Sequence, residues 1–198
     1  MRCRDTRRMP IYLKLVRNPA LYLLLERGDH ELAALAGSRG CGKCGGPLHH
    51  ADYPRKPRGL GDVPPGYWKR LSYCCGREGC RARCTPPSMR FLGRRFYVGA
   101  VVVLATAMLH GLNPRRVEEL RALFGMDVRT LRRWREWWLD AFVRSPTWEV
   151  LRAMLVPALD VSILPLSLVQ RVCKQPDVGK MAVLMRGLGP LTTRSCPM

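Results

Sequence analysis

Residues 73–97 read YCCGREGCRARCTPPSMRFLGRRFY, and this stretch decides how the rest of the chain is interpreted. It holds four of the nine cysteines, the Pro86-Pro87 pair and a series of arginines that leads into an apolar segment. Two successive prolines interrupt regular structure, because proline has no backbone N–H to donate. The stretch therefore predicts a junction between a cysteine-rich module and a helical unit.

An earlier pair of cysteines completes the pattern. Cys41 and Cys44 are two residues apart and are surrounded by glycines, and Cys75 and Cys80 follow after a long spacer. Structural zinc prefers four tetrahedral ligands, usually thiolates, and glycines let the backbone turn tightly around the ion. We predict one structural Zn²⁺ in a zinc-ribbon-like module over residues 37–88, with these four cysteines as its ligands.

The second pair leaves alternatives open. Four residues separate Cys75 from Cys80, where two are more usual, so Cys74 is an alternative to Cys75, and Cys84 is a further thiol nearby. His49 or His50 could also supply a ligand, and reduced thiols without any metal are the remaining possibility. The spacer favours a metal, because a Gly- and Pro-rich loop with few apolar residues does not order itself.

The charge and composition of the chain limit the classes of protein to which it can belong. Thirty-four Lys and Arg residues against fifteen Asp and Glu give a net charge of +19, which attracts polyanions, and nucleic acid is the commonest of these. A hydrophobic fraction of 47% excludes wholesale disorder. The odd number of cysteines argues against a disulfide framework. The longest apolar run, residues 98–109, is shorter than the roughly 20 residues that span a bilayer, so we expect no membrane partner.

Hydrophobic spacing predicts a mainly α-helical chain with a small β component. Four segments follow from it: a basic arm and helix (1–36), the ribbon-like module (37–88), a helix-turn-helix domain (89–144) and a C-terminal helical tail (145–198). The first helix carries an apolar stripe from Leu21 to Leu35 and is expected to divide at Gly28. Residues 67–73 alternate as a short strand, with a partner in residues 81–85. Residues 96–112 are apolar all round, as in a buried helix.

The sharpest signal for function is RRVEELRALFGMDVRTLRRWREWW, residues 115–138. It gives a helix, a turn at Gly125 and a second helix capped by Asp127, which is the layout of a helix-turn-helix. Apolar positions from Val128 to Trp138 face the core, so the side chains expected to reach DNA are Arg129, Thr130, Arg132 and Arg133. Arginine matches the guanine edge through two hydrogen bonds. The alternative is a helical hairpin whose arginines are merely solvated.

A second basic group flanks the cysteines. We expect phosphate contacts, and therefore salt-sensitive binding without sequence preference, from Arg55, Lys56, Arg58, Arg90, Arg94 and Arg95. A solvated basic face is the alternative.

The order of these features resembles the N-terminal DNA-binding half of insertion-sequence transposases. The blocks LHHADYPRKPRG, TPPSMRFLGRRFY, LFGMDVRTLRRW and GPLTTRS are similar to bacterial proteins associated with such elements. The resemblance implies that Cys41, Cys44, Cys75 and Cys80 are ligands, that residues 129–133 contact double-stranded DNA, and that Cys84 departs from the family pattern. It also implies a bacterial, nucleoid-associated cytoplasmic protein whose protein partner is a transposase or a second copy of itself.

A complete transposase would add a ribonuclease-H-like domain with three metal-binding carboxylates. After the predicted helix-turn-helix only Glu149, Asp160 and Asp177 remain, and two-metal chemistry needs carboxylates that converge on the ions. We therefore predict a DNA-binding accessory or regulatory protein of a mobile element that is not an enzyme. The alternatives are an RNA-binding zinc-ribbon protein and an inactive transposase fragment.

Overall fold

The computed structural model describes residues 11–55, 65–92, 98–109, 114–173 and 177–193. These residues form a mainly helical structure with small antiparallel sheets, as predicted for the fold class at this coarse level. The helices are α1 (Ile11–Val16), α2 (Pro19–Ser38), α3 (Gly99–Met108), α4 (Pro114–Phe124), α5 (Val128–Trp137), α6 (Pro146–Met154), α7 (Leu166–Val172) and α8 (Val178–Gly187). The strands are β1 (Leu48–His50), β2 (Tyr53–Pro54), β3 (Lys69–Arg70), β4 (Tyr73–Cys75) and β5 (Arg83–Cys84).

Helix α3 is the centre of the core. Its sequence, GAVVVLATAM, has no charged residue, and every one of its residues is buried, which confirms the predicted buried helix. It packs against α1, α5, α7 and α8, and one continuous apolar cluster extends from Leu15 to Leu188. In the part of the chain that the structure describes, no helix combines the length and the apolar content needed to cross a membrane.

Helix α2 joins this core to the sheet. Asn18 caps it by accepting a hydrogen bond from the Ala20 amide at 3.0 Å, ahead of a favourable proline at its first position. The predicted division at Gly28 is wrong, because the helix is continuous. A side chain at this position would clash, since a Cβ on Gly28 would lie 2.1 Å from the Met89 sulfur. Leu21 and Leu25 are buried as predicted, but Leu35 is exposed.

The larger sheet has the order β1-β4-β5 and is antiparallel throughout. It packs on the C-terminal half of α2, where the Tyr73 hydroxyl donates to the Ala33 carbonyl at 2.9 Å. The prediction of one strand over residues 67–73 is wrong. Residues 65–68 form a 3₁₀ turn, β3 pairs with β2 in a separate ribbon, and β4 begins only at Tyr73. A strand does lie within residues 81–85, as predicted, but β5 pairs with β4, so Tyr73 is the one residue of the predicted strand that it meets.

The turn between α4 and α5 contains the glycine and the capping aspartate that the sequence predicts. Gly125 has φ +60°, a conformation that favours glycine, and directly follows α4. The Asp127 carboxylate then accepts a hydrogen bond from the Arg129 amide and caps α5. Beyond Trp137 the chain continues as a π-helical turn, Trp138–Phe142, before Ser145 caps α6.

Candidate metal centre and basic surfaces

Four thiols converge between two tight turns. The Sγ atoms of Cys41, Cys44, Cys75 and Cys80 all lie within 4.8 Å of one another. Cys41 is 3.8 Å from Cys80, and Cys44 is 3.5 Å from Cys75. Four thiolates placed tetrahedrally about 2.3 Å from one ion are about 3.8 Å apart. The four predicted ligands therefore come together and could hold a single metal ion if their separations adjusted by up to about 1 Å.

The first turn is shaped by glycines. The amides of Cys44 and Gly45 donate to the Cys41 carbonyl, and the Cys41 amide donates to the Gly46 carbonyl at 2.9 Å. Gly40 and Gly45 have φ values of +73° and +67°, which other residues adopt only with strain. This tight backbone arrangement points both sulfurs of the turn toward the second pair.

The second turn begins at the end of β4 and is clamped to the first by Arg77. The Cys80 amide donates to the Arg77 carbonyl at 3.1 Å, which closes the turn. The Arg77 amide donates to Cys75 Sγ at 3.4 Å, and its guanidinium donates to the Cys44 carbonyl at 2.9 Å. Sequence reasoning missed this residue, because nothing in the spacing of the cysteines indicates that the intervening arginine bridges both turns.

The thiols of the cluster differ in acidity. The backbone amides of Lys43 and Cys44 donate to Cys41 Sγ and lower the pKa of Cys41 to about 7. The Arg77 amide also favours a thiolate at Cys75, but burial and the neighbouring thiols outweigh it and raise the pKa of Cys75 to about 12. A bound cation would displace the protons of the thiols that ligate it.

The sheet register decides between Cys74 and Cys75. Cys75 pairs with Leu48 and is buried, whereas Cys74 pairs with His49 and places its side chain on the opposite face. Its sulfur lies 3.6 Å from the Arg81 carbonyl. Cys84 is buried against Tyr73 and Leu71 in a small apolar cluster. Among the described residues, the thiol cluster includes neither His49 nor His50.

The predicted DNA-contacting residues of α5 lie on one side of that helix. Arg129, Arg132 and Arg133 are exposed, whereas Leu131 and Trp134 are buried on the opposite side. Thr130 is half-buried, and its hydroxyl accepts a hydrogen bond from Arg133 at 3.2 Å. The predicted division of α5 into an inward apolar face and an outward basic face is present in the structure.

Arg90 does not lie on a basic surface, and its prediction as a phosphate contact is wrong. Its side chain is 1% exposed, and Nε donates to the Asp29 carboxylate at 2.8 Å. The two remaining nitrogens donate to the carbonyls of Tyr67 and Lys69 at 2.7 and 2.9 Å. With every nitrogen engaged and almost no solvent exposure, the guanidinium cannot reach a phosphate.

Of the other phosphate contacts predicted near the cysteines, the structure describes one. Arg55 is half-buried, with its guanidinium 5.7 Å from the Phe91 ring centre. Four predicted contacts lie outside the described residues: Lys56, Arg58, Arg94 and Arg95. Exposed basic side chains within three residues of a cluster cysteine in the described sequence include Arg39, Lys43, Arg77, Arg81 and Arg83.

Comparisons of the chain with protein families, with curated proteins and with solved structures found no match. Its function is therefore inferred from the thiol cluster, the charge distribution and the exposed face of α5.

Proposed function

We propose that this chain is a zinc-stabilised protein of a mobile genetic element that binds double-stranded DNA and catalyses no reaction. In this proposal the thiol cluster is a zinc ribbon, α4 and α5 form a helix-turn-helix, and α5 enters the major groove. The observation that carries it is the face of α5 bearing Arg129, Arg132 and Arg133, opposite a buried apolar face, in a chain of net charge +19. None of the three forms an ion pair with a described residue.

Zinc suits the four thiols because all four coordination positions would be filled by cysteine. Such closed sites are structural, whereas catalytic zinc keeps one position open. Among the described residues, the apolar cluster between this sheet and α2 is small, with four buried members, Ala33, Leu71, Tyr73 and Cys84. A metal would therefore supply most of the free energy that orders the two cysteine turns.

Sequence recognition would come from the first two turns of α5. Arg129 and Arg133 lie one turn apart, and each can donate two hydrogen bonds to the O6 and N7 atoms of a guanine. Affinity without sequence preference would come from phosphate contacts by the exposed basic residues beside the metal centre, among them Arg77, Arg81 and Arg83.

The carboxylates of the C-terminal segment support a role without catalysis. Glu149 pairs with Arg152 within α6. Asp160 and Asp177 accept hydrogen bonds from the amides that begin the next helical segments. Each of these three carboxylates therefore interacts with a group in its own helical segment. The described residues contain no cluster of three carboxylates that could hold catalytic metal ions.

Replacing Arg129 and Arg133 by alanine together is expected to abolish most of the discrimination between a preferred duplex and a scrambled one. Each two-bond contact to guanine contributes about 1–3 kcal/mol, so the ratio of the two dissociation constants should fall by about 30-fold or more. The ratio is measured by fluorescence anisotropy at fixed salt, with a preferred duplex selected from a random library by the wild-type protein.

The matched control is Arg115→Ala with Arg121→Ala, which removes the same charge from exposed positions of α4. It should weaken binding to both duplexes alike and leave their ratio unchanged. If the α5 variant keeps the wild-type ratio, α5 does not read the sequence. Tighter binding to a structured RNA in direct competition would instead support the RNA-binding alternative.

A further inference from the structure

A pocket of about 470 Å³ lies between α4 and α5, and we call it the α4–α5 pocket. Its apolar lining includes Leu109, which follows α3, Val117 of α4, and Val128 and Leu131 of α5. The two leucines are buried, and the two valines are half-buried. Sites for small organic molecules have volumes of about 300–1,000 Å³ and mostly apolar walls. The pocket therefore has the size and the lining of such a site.

The charged side chains that line the pocket are mostly basic. Arg121 of α4 and Arg132 and Arg135 of α5 stand against one carboxylate, that of Glu118. None of the three arginine side chains forms a hydrogen bond or an ion pair with a described residue. The pocket therefore carries an excess of two positive charges that no described side chain compensates, and this excess attracts an anion.

We propose that the α4–α5 pocket binds a small organic anion with an apolar body and one carboxylate group. The apolar body would be buried against Val117, Val128 and Leu131. The planar fork of an arginine matches a carboxylate through two parallel hydrogen bonds. An inorganic anion or a DNA phosphate would leave the apolar walls unfilled, and a purely apolar molecule would leave the arginines uncompensated.

Binding of the anion would affect the basic face of α5 through Arg132. This exposed residue lines the pocket and also belongs to the face proposed to contact DNA. A bound carboxylate would neutralise its charge and should weaken DNA binding several-fold. This consequence rests on the function proposed above, whereas binding of the anion itself does not.

The test is isothermal titration calorimetry of the full chain in reducing buffer, without DNA, using hexanoate, octanoate and decanoate as probes. Octanoate is expected to bind at one site with a dissociation constant below about 1 mM. Affinity should rise by up to about 4-fold for each added methylene group, because the tail is buried in the pocket. Octanol has the same tail without the charge and should bind at least about 10-fold more weakly.

Two double variants test the role of the pocket arginines. Arg121→Ala with Arg135→Ala should weaken octanoate binding about 10-fold or more, because both guanidinium groups that flank the carboxylate are lost. The matched control is Arg115→Ala with Arg144→Ala, which removes the same charge from exposed positions outside the pocket lining. The control should bind octanoate like the wild-type protein.

Methyl NMR spectra locate the bound octanoate. The methyl signals of Val117 and Val128 should shift during the titration, whereas those of Val150 and Val183, which are exposed elsewhere, should not. Shifts confined to Val150 or Val183 would place the anion at another surface and overturn the proposal.

Three calorimetric results would also overturn it. They are no binding of octanoate at about 5 mM, equal affinity for the three carboxylates, as unspecific attraction to a chain of charge +19 would give, and equal affinity of the two double variants. Octanoate that binds in the pocket but leaves the affinity for duplex DNA unchanged would support this site and count against Arg132 as a DNA contact.

Discussion

Replacing Cys75 by serine is expected to remove the metal from the purified protein and to unfold the two cysteine turns. Cys75 is fully buried within the thiol cluster, so a serine leaves the ion with three thiolates and places a poor ligand at the fourth position. Binding of a structural zinc contributes about 10–16 kcal/mol in small zinc modules. Metal content by elemental analysis should fall from about one ion per chain toward none, and amide exchange in the turns should lose its protection.

The neighbouring cysteine provides the control. Cys74→Ser makes the same atomic change one residue away, but the Cys74 side chain lies on the other face of β4 and outside the cluster. This variant should keep its metal and its exchange protection. Equal metal content in the two variants would refute the assignment of Cys75 as a ligand.

Replacing Asp29 by alanine is expected to cost about 3–5 kcal/mol of stability, because it leaves a buried charge without its partner. The Asp29 carboxylate accepts hydrogen bonds from the Ser88 hydroxyl at 2.6 Å and from Arg90 Nε at 2.8 Å. Both charged side chains are almost fully buried, so water cannot replace the lost interaction. The loss is measured as the change in the free energy of unfolding in urea, in zinc-containing buffer.

Two further variants isolate the buried charge. Glu26 also lies near Arg90, at 3.8 Å, but it is 25% exposed, so Glu26→Ala should cost less than about 1 kcal/mol. Adding Arg90→Met to Asp29→Ala removes the unpaired charge and should restore part of the stability. Wild-type stability in the Asp29→Ala protein would show that the pair does not hold α2 to the segment around Arg90.

The parts of the structure that the sequence predicts well depend on local interactions. Gly125 and Asp127 act within their own turn, so their positions predict the end of α4 and the start of α5 without knowledge of the rest of the chain. The glycines around Cys41 and Cys44 likewise shape a turn whose backbone–backbone hydrogen bonds are local.

The choice between Cys74 and Cys75 was beyond the sequence because it depends on register. Successive residues of a strand point to opposite faces, so a shift of one residue in β4 would exchange the two thiols. The pairing of Cys75 with Leu48 fixes that register, and it comes from a strand more than twenty residues earlier in the chain.

The misassignment of Arg90 has a different cause. Its partner Asp29 is 61 residues away, and a run of arginines resembles a phosphate-binding surface when only the sequence is considered. The sequence does contain one sign that Asp29 is buried and needs a partner. Asp29 follows Leu21 and Leu25 at intervals of four, so it lies on the apolar stripe of α2, where a carboxylate needs a buried partner.

The proposal that the chain is a DNA-binding protein is tested most directly by titrating the zinc-loaded wild-type protein with duplexes selected from a random library. We predict a preferred duplex that contains guanine at fixed positions and binds at least about 10³-fold more tightly than a scrambled duplex, with an affinity that falls steeply as salt is raised. Equal affinity for the selected and scrambled duplexes, or no binding to duplex DNA at moderate salt, would contradict the proposed function.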